Sequence, residues 1–151
     1  NQLGGPGFED FNYQDAYAPI YTYITADKPE LWRRSIYRYI VRTTPDRFLT
    51  TLDCPDPANL TAQRQTTTTP LQSLTLYNNE FILKQAGYFA DRLKQESGPH
   101  QEAQVHRAFK LAFGRSATDE ETRLAMDLVN RQGVFSLCRA LLNSNEFVYV
   151  D

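Results

Sequence analysis

The stretch from Thr66 to Ile82, TTTTPLQSLTLYNNEFI, constrains the fold more than any other, because it writes a helix start, a helix break and a second helix start within seventeen residues. Thr69 stands as the N-cap, Pro70 takes the first helical position, where its missing N–H leaves no bond unmade, and Gln72 completes a capping box. Leu71, Leu74 and Tyr77 are then the residues expected to face inward. Asn78-Asn79 interrupts, and a second helix carries Ile82, Ala86, Phe89 and Leu93 at four-and-three spacing until Gly98-Pro99 stops it.

The same grammar continues to the end of the chain. Val105, Ala108, Phe109 and Ala112 form an apolar stripe closed by Gly114. Thr118 with Glu121 is a second capping box, ahead of a helix expected to bury Leu124 and Leu128 before Gly133. A last helix holds Val134, Cys138, Leu141 and Leu142 on one side, and the tail Phe147-Val148-Tyr149-Val150 is apolar enough to dock rather than float.

The N-terminal third reads differently. Residues 1–20, with Gly4, Gly5, Pro6, Gly7 and Pro19, read as a loop or an arm. Ile20 to Ile24 and Ser35 to Thr43 are aromatic or β-branched, and the second run alternates Ile36, Arg38, Ile40 and Arg42 against Tyr37, Tyr39 and Val41, which predicts a hairpin over 20–43. A helix opened by Asp27, with Pro29 in its first turn and Glu30 three later, competes for the same residues. Asp46 to Leu52 reads as a helical turn after Pro45, and an irregular connection over 46–68 carries Pro55 and Pro57. The fold expected is mainly α: one domain, a helical bundle of about five helices over 69–151 with a docked tail, and a small N-terminal β-hairpin.

Composition narrows the function. A chain of 151 residues with 41% hydrophobic and 23% charged residues can bury a core alone. Its net charge of −2, without a block of one sign, supplies no field for nucleic acid. No apolar run reaches the ~20 residues of a membrane span, and the start NQLGGPGFEDFN lacks the regions of a signal peptide. Asn1 is no natural initiator, so the chain reads as a mature or excised piece. Cys54 and Cys138 lie in no metal-like spacing and are read as unpaired, one disulfide being the alternative.

Catalytic and metal constellations are not legible. His100 and His106 fall on opposite helical faces and read as solvated, no serine sits in a nucleophile elbow, and no glycine-rich loop follows a strand. The densest polar segment is Arg33, Arg34, Arg38 and Arg42, followed by Asp53, Asp56 and Arg64. Its bland reading is that arginines tie the hairpin to the Asp53–Asp56 loop through forked hydrogen bonds. Its sharper reading is an anion or sulfated-sugar site in which Arg33, Arg34 and Arg64 hold the ligand and Asp53 and Asp56 orient them. Tyr13, Tyr17, Tyr21, Tyr23 and Trp32 crowd the same third, as packing for the hairpin or as a surface for a partner.

The ordered blocks RRSIYRYIVR (Arg33 to Arg42), FLTTLDCPDP (Phe48 to Pro57), TTTTPLQSLTLYNNEF (Thr66 to Phe81), AFKLAFGRSATDEE (Ala108 to Glu121) and LCRALLNSNEFVYVD (Leu137 to Asp151) resemble the C-terminal part of the planctomycete domain-of-unknown-function 1553 family. The likeness runs from about Trp32 to the end. The resemblance implies an extracytoplasmic, periplasmic or secreted location in large exported proteins that often carry a cytochrome-c-like segment. It implies no established activity and no functional residues. This chain has no Cys-x-x-Cys-His, so any haem would belong to an upstream domain and no cofactor is expected here. The first functional expectation is a non-catalytic C-terminal module that packs on upstream domains of its parent or on another exported protein. A polysaccharide-active or redox-coupled enzyme completed by other domains, and anionic-sugar binding, are the alternatives.

Overall fold

A computed structural model describes residues 4–63 and 67–149, and the chain forms two compact units, Asn1–Thr75 and Leu76–Asp151. In the first unit, β1 (Phe11–Gln14) and β2 (Ile20–Tyr23) pair antiparallel, with Phe11 opposite Tyr23 and Tyr13 opposite Tyr21. Side chains alternate across a strand, so these four aromatic residues share one face. Phe11 meets Tyr21 edge-on at 5.4 Å between ring centroids, and Tyr13 meets Tyr21 at 5.4 Å. Such cross-strand aromatic pairs add about 0.5–1.5 kcal/mol each beyond their buried area.

The hairpin exists, but its first strand comes from the segment read as an arm. A loop over 15–19 folds β1 straight back on β2, which costs less closure entropy than bridging residues 24–35 across Pro29. Ser35–Tyr37 is instead a 3-10 turn, and so is Pro29–Leu31, one turn being all that the competing helix delivers. The expected second strand keeps a single parallel bridge, Phe8 to Arg38, in which the Phe8 N–H donates to Tyr37 O at 2.9 Å and the Tyr39 N–H donates to Phe8 O at 2.8 Å. Its alternation does not sort inside from outside, because Ile36 and Ile40 are exposed whereas Arg38 is drawn inward by carboxylates.

Helix α1 (Arg47–Thr51) begins where Asp46 Oδ1 accepts the Leu49 N–H at 2.8 Å. Helix α2 (Pro70–Asn78) carries the expected capping box: the Gln72 N–H donates to Thr69 Oγ1 at 3.2 Å, and the Thr69 N–H donates to Gln72 Oε1 at 3.0 Å. Leu71, Leu74 and Tyr77, however, are exposed. The buried residue of α2 is Gln72, whose Nε2 donates to Asp53 Oδ2 and Thr67 Oγ1, both at 2.9 Å. Once the cap fixes that polar side chain inside, neighbours about 100° around the helix turn outward.

The second unit is the helical bundle: α3 (Glu80–Ser97), α4 (Gln101–Phe113), α5 (Asp119–Gln132) and α6 (Val134–Leu142), with the short α7 (Asn145–Val148) against α4 and α6. With α2 these make five helices of nine residues or more, as the mainly α reading expected. Leu93, Val105 and Cys138 are the largest fully buried side chains, ringed by Ala86, Ala108, Phe109, Val129 and Leu141. Burial of each large aliphatic contributes roughly 1.5–3 kcal/mol. Gly114 ends α4 in the left-handed conformation at φ 72°, which a side chain would strain. Helix α5 buries Ala125 and Val129, four apart; of the two leucines expected inside, Leu128 packs partly buried against the core and Leu124 is 55% exposed, so the buried stripe is turned by about one residue. Of the tail, Glu146 is tied to Arg115 while Phe147 and Tyr149 remain half exposed, and Val150 lies outside the described residues.

Candidate functional site

Asp46 divides its two oxygens. While Oδ1 caps α1, Oδ2 accepts Arg38 Nη2 at 3.0 Å. Arg38 turns its Nε to Asp10 Oδ1 at 2.8 Å and lays its guanidinium over the Tyr23 ring, 4.7 Å from the centroid. These charges are nearly dry: Arg38, Asp10 and Asp46 retain 11%, 7% and 16% of their side-chain exposure. Burial opposes the Arg38 charge, and the hydrogen bonds to Asp46 and then Asp10 outweigh it, holding the guanidinium above its ordinary value. Burial is also the largest influence on the Tyr23 phenol and pushes it up.

Beside this cluster lies a cavity of about 240 Å³ within the first unit. Tyr23, Tyr39, Ile40, Leu49 and the prolines of the 45–57 segment give it apolar walls, and Arg38, Asp46, Thr50, Cys54 and Asp56 are its described polar lining. Arg38 and Asp46 come from opposite ends of the 38–46 segment and Asp56 from the proline-rich loop.

Of the described residues in the anion-site reading, Arg33, Arg34, Asp53 and Asp56, only Asp56 lines this cavity, together with Arg38, Tyr23 and Cys54, which the sequence also singled out. Its carboxylate accepts the Ala58 N–H at 2.9 Å and Asn59 Nδ2 at 2.6 Å, the hydrogen bonds of a turn former. Asp53 accepts from the Thr67 N–H at 2.7 Å as well as from Gln72, and so ties the loop to α2. Arg33 donates Nη1 to Pro6 O and Nη2 to Gly4 O, both at 2.7 Å, and lies 4.5 Å above the Tyr37 ring. It clasps the N-terminal segment. Arg34 is exposed, and Arg64 lies outside the described residues. Asp10, Tyr23, Asp46 and Leu49 were not legible as a group, because nothing periodic links positions so far apart.

The cysteines are unpaired, Cys54 exposed and Cys138 buried. His100 and His106 are exposed. Among the described residues, no group of three or more His, Cys, Asp or Glu side chains could hold a metal ion, and no helix is long and apolar enough to cross a membrane.

Residues 1–129 match the sequence model of a family described as a protein of unknown function, DUF1553, with the short name PSD1. The match takes in the N-terminal third, ahead of Trp32, where the resemblance of ordered blocks does not reach. No curated protein and no solved structure matches the chain.

Proposed function

We propose, the chain belonging to the DUF1553 family, that it is a non-catalytic packing module of a larger exported protein and that the aromatic N-terminal third is its docking face. The observation that carries this reading is the number of exposed large apolar side chains in the first unit: Tyr13 on the aromatic face of the hairpin, Ile20 on its other face, Tyr17 and Ile24 beside it, then Ile36, Tyr39 and Ile40. Tyr17 and Ile36, at 109% and 77% exposure, project from turns rather than shielding anything beneath them. Single exposed apolar residues are ordinary on a folded surface, whereas a concentration of them marks an interface. The partner we infer is the upstream part of the same exported protein, outside the cytoplasm, where any haem would reside.

Calorimetric titration of this chain into separately expressed upstream domains tests the reading. Saturable binding is expected, weakened at least about tenfold by the triple variant Y17S/I20S/I36S, since aromatic and aliphatic anchors dominate interface energy. These residues are exposed, so the variant should keep the circular dichroism of the parent. Absence of binding, or binding indifferent to the triple variant, would overturn the proposal.

A further inference from the structure

The cavity beside Arg38 has a charge balance that does not suit the anionic ligand suggested by the arginine-rich sequence around it. One guanidinium stands against Asp10 and Asp46 at 2.8 and 3.0 Å, and Asp56 joins Asp46 in the cavity lining. Among the described lining residues carboxylates exceed cations by one, and Asp10 adds a further negative charge behind Arg38. Arg38 has already committed Nε and Nη2 to those carboxylates, so an incoming anion would meet their repulsion before it met an open fork. We infer that this cavity binds a small organic ammonium ion, its apolar body against Leu49, Ile40 and the prolines and its charge toward Tyr39, Asp46 and Asp56.

Two further observations separate an organic cation from the other candidates. A hydrated metal ion demands a cage of several oxygens, and the walls here are mainly aromatic and aliphatic. Tyrosine rings, by contrast, attract alkylated ammonium groups, which shed water easily, and with the Tyr23 ring already under Arg38 it is the exposed Tyr39 that serves here. The space also fits: cavities on the order of 150 Å³ accept benzene, and this one measures about 240 Å³. Tyr39 and Ile40 belong both to the cavity wall and to the docking run, whereas Tyr17, Ile20 and Ile36 do not line the cavity, so the triple variant Y17S/I20S/I36S leaves its lining intact and the two readings can fail separately.

Choline and its uncharged carbon isostere 3,3-dimethylbutan-1-ol are the probes. Cys54 lines the cavity and is exposed, whereas Cys138 is buried, so alkylation of Cys54 by neutral iodoacetamide reports occupancy. Choline is expected to shift backbone amide resonances of residues 38–57 saturably and to slow Cys54 alkylation, with the isostere at least about fivefold weaker. D56N should weaken choline at least about threefold, and L49W, which fills the space, should abolish it. Should L49W fail to fold, D56N and the isostere still decide. Equal affinity for choline and the isostere, absence of saturable choline binding, or tighter binding of acetate would overturn the inference.

Discussion

Arg38 Nε and Asp10 Oδ1 meet at 2.8 Å across 28 residues of sequence, with Asp46 completing the cluster from the other side. This relationship ties the start of the chain to the base of α1 and explains why the alternating run 35–43 is not a strand. A buried ion pair adds little over a well-packed apolar group, yet breaking one strands the partner charge. Arg38→Met should therefore destabilise the first unit by about 3 kcal/mol, because two nearly dry carboxylates lose their cation. Urea unfolding followed through Trp32, the chain's one tryptophan, measures this. The double variant R38M/D10N should recover part of the loss.

The second unit should be sensitive to acid. Hydrogen bonds from Arg115, then from the Thr118 backbone, bring the Glu121 carboxyl down from 4.5 to about 2, and Arg115 also lowers Glu146. A carboxyl depressed in the folded state stabilises above its unfolded value, and the contribution fades as pH falls through the folded one. The midpoint of thermal unfolding should accordingly drop between pH 4.5 and 2. Glu121→Gln should flatten that slope, whereas a slope unchanged in E121Q would count against the Arg115 network.

Thiol chemistry should distinguish the two cysteines. Burial pushes the Cys138 thiol up to about 12, while Cys54 is exposed. The thiolate is the reactive species, so titration with a disulfide reagent should find one fast thiol in the native protein and a second only after denaturation. Two fast thiols would mean that α6 opens readily.

The rotation of α5 and the heart of the core can be checked together. Leu93 is fully buried, and Leu93→Ala should cost about 3 kcal/mol through lost transfer energy and the cavity left behind. Leu124, which sequence periodicity placed inside, is exposed, and Leu124→Ser should change stability by no more than about 0.5 kcal/mol. Denaturant midpoints of the two variants give the comparison.

What could be read without coordinates was local. The capping pairs Thr69 with Gln72 and Thr118 with Glu121 are three residues apart, and both form as expected because the groups that cap a helix start lie within its own first turn. The helix order, the stop at Gly114 and the burial of Cys138 follow from the same short range. Which face of α2 or α5 turns inward depends on neighbours far along the chain, so Gln72 displaced Leu71 and Leu74, and Ala125 displaced Leu124. The site suffered most. The dense arginine run contains Arg38, but its partners Asp10 and Asp46 lie on either side in segments that carry no shared period, so nothing in the sequence separates it from Arg33 and Arg34 as the residue beside the cavity.

Hydrogen–deuterium exchange on this chain, alone and joined to the upstream domains proposed as its partner, tests most directly whether the aromatic N-terminal third is a docking face. Slower exchange over residues 13–24 and 36–40 in the joined protein is the predicted result, with α3 to α6 unchanged. Identical exchange in those two segments, joined or alone, would contradict the account.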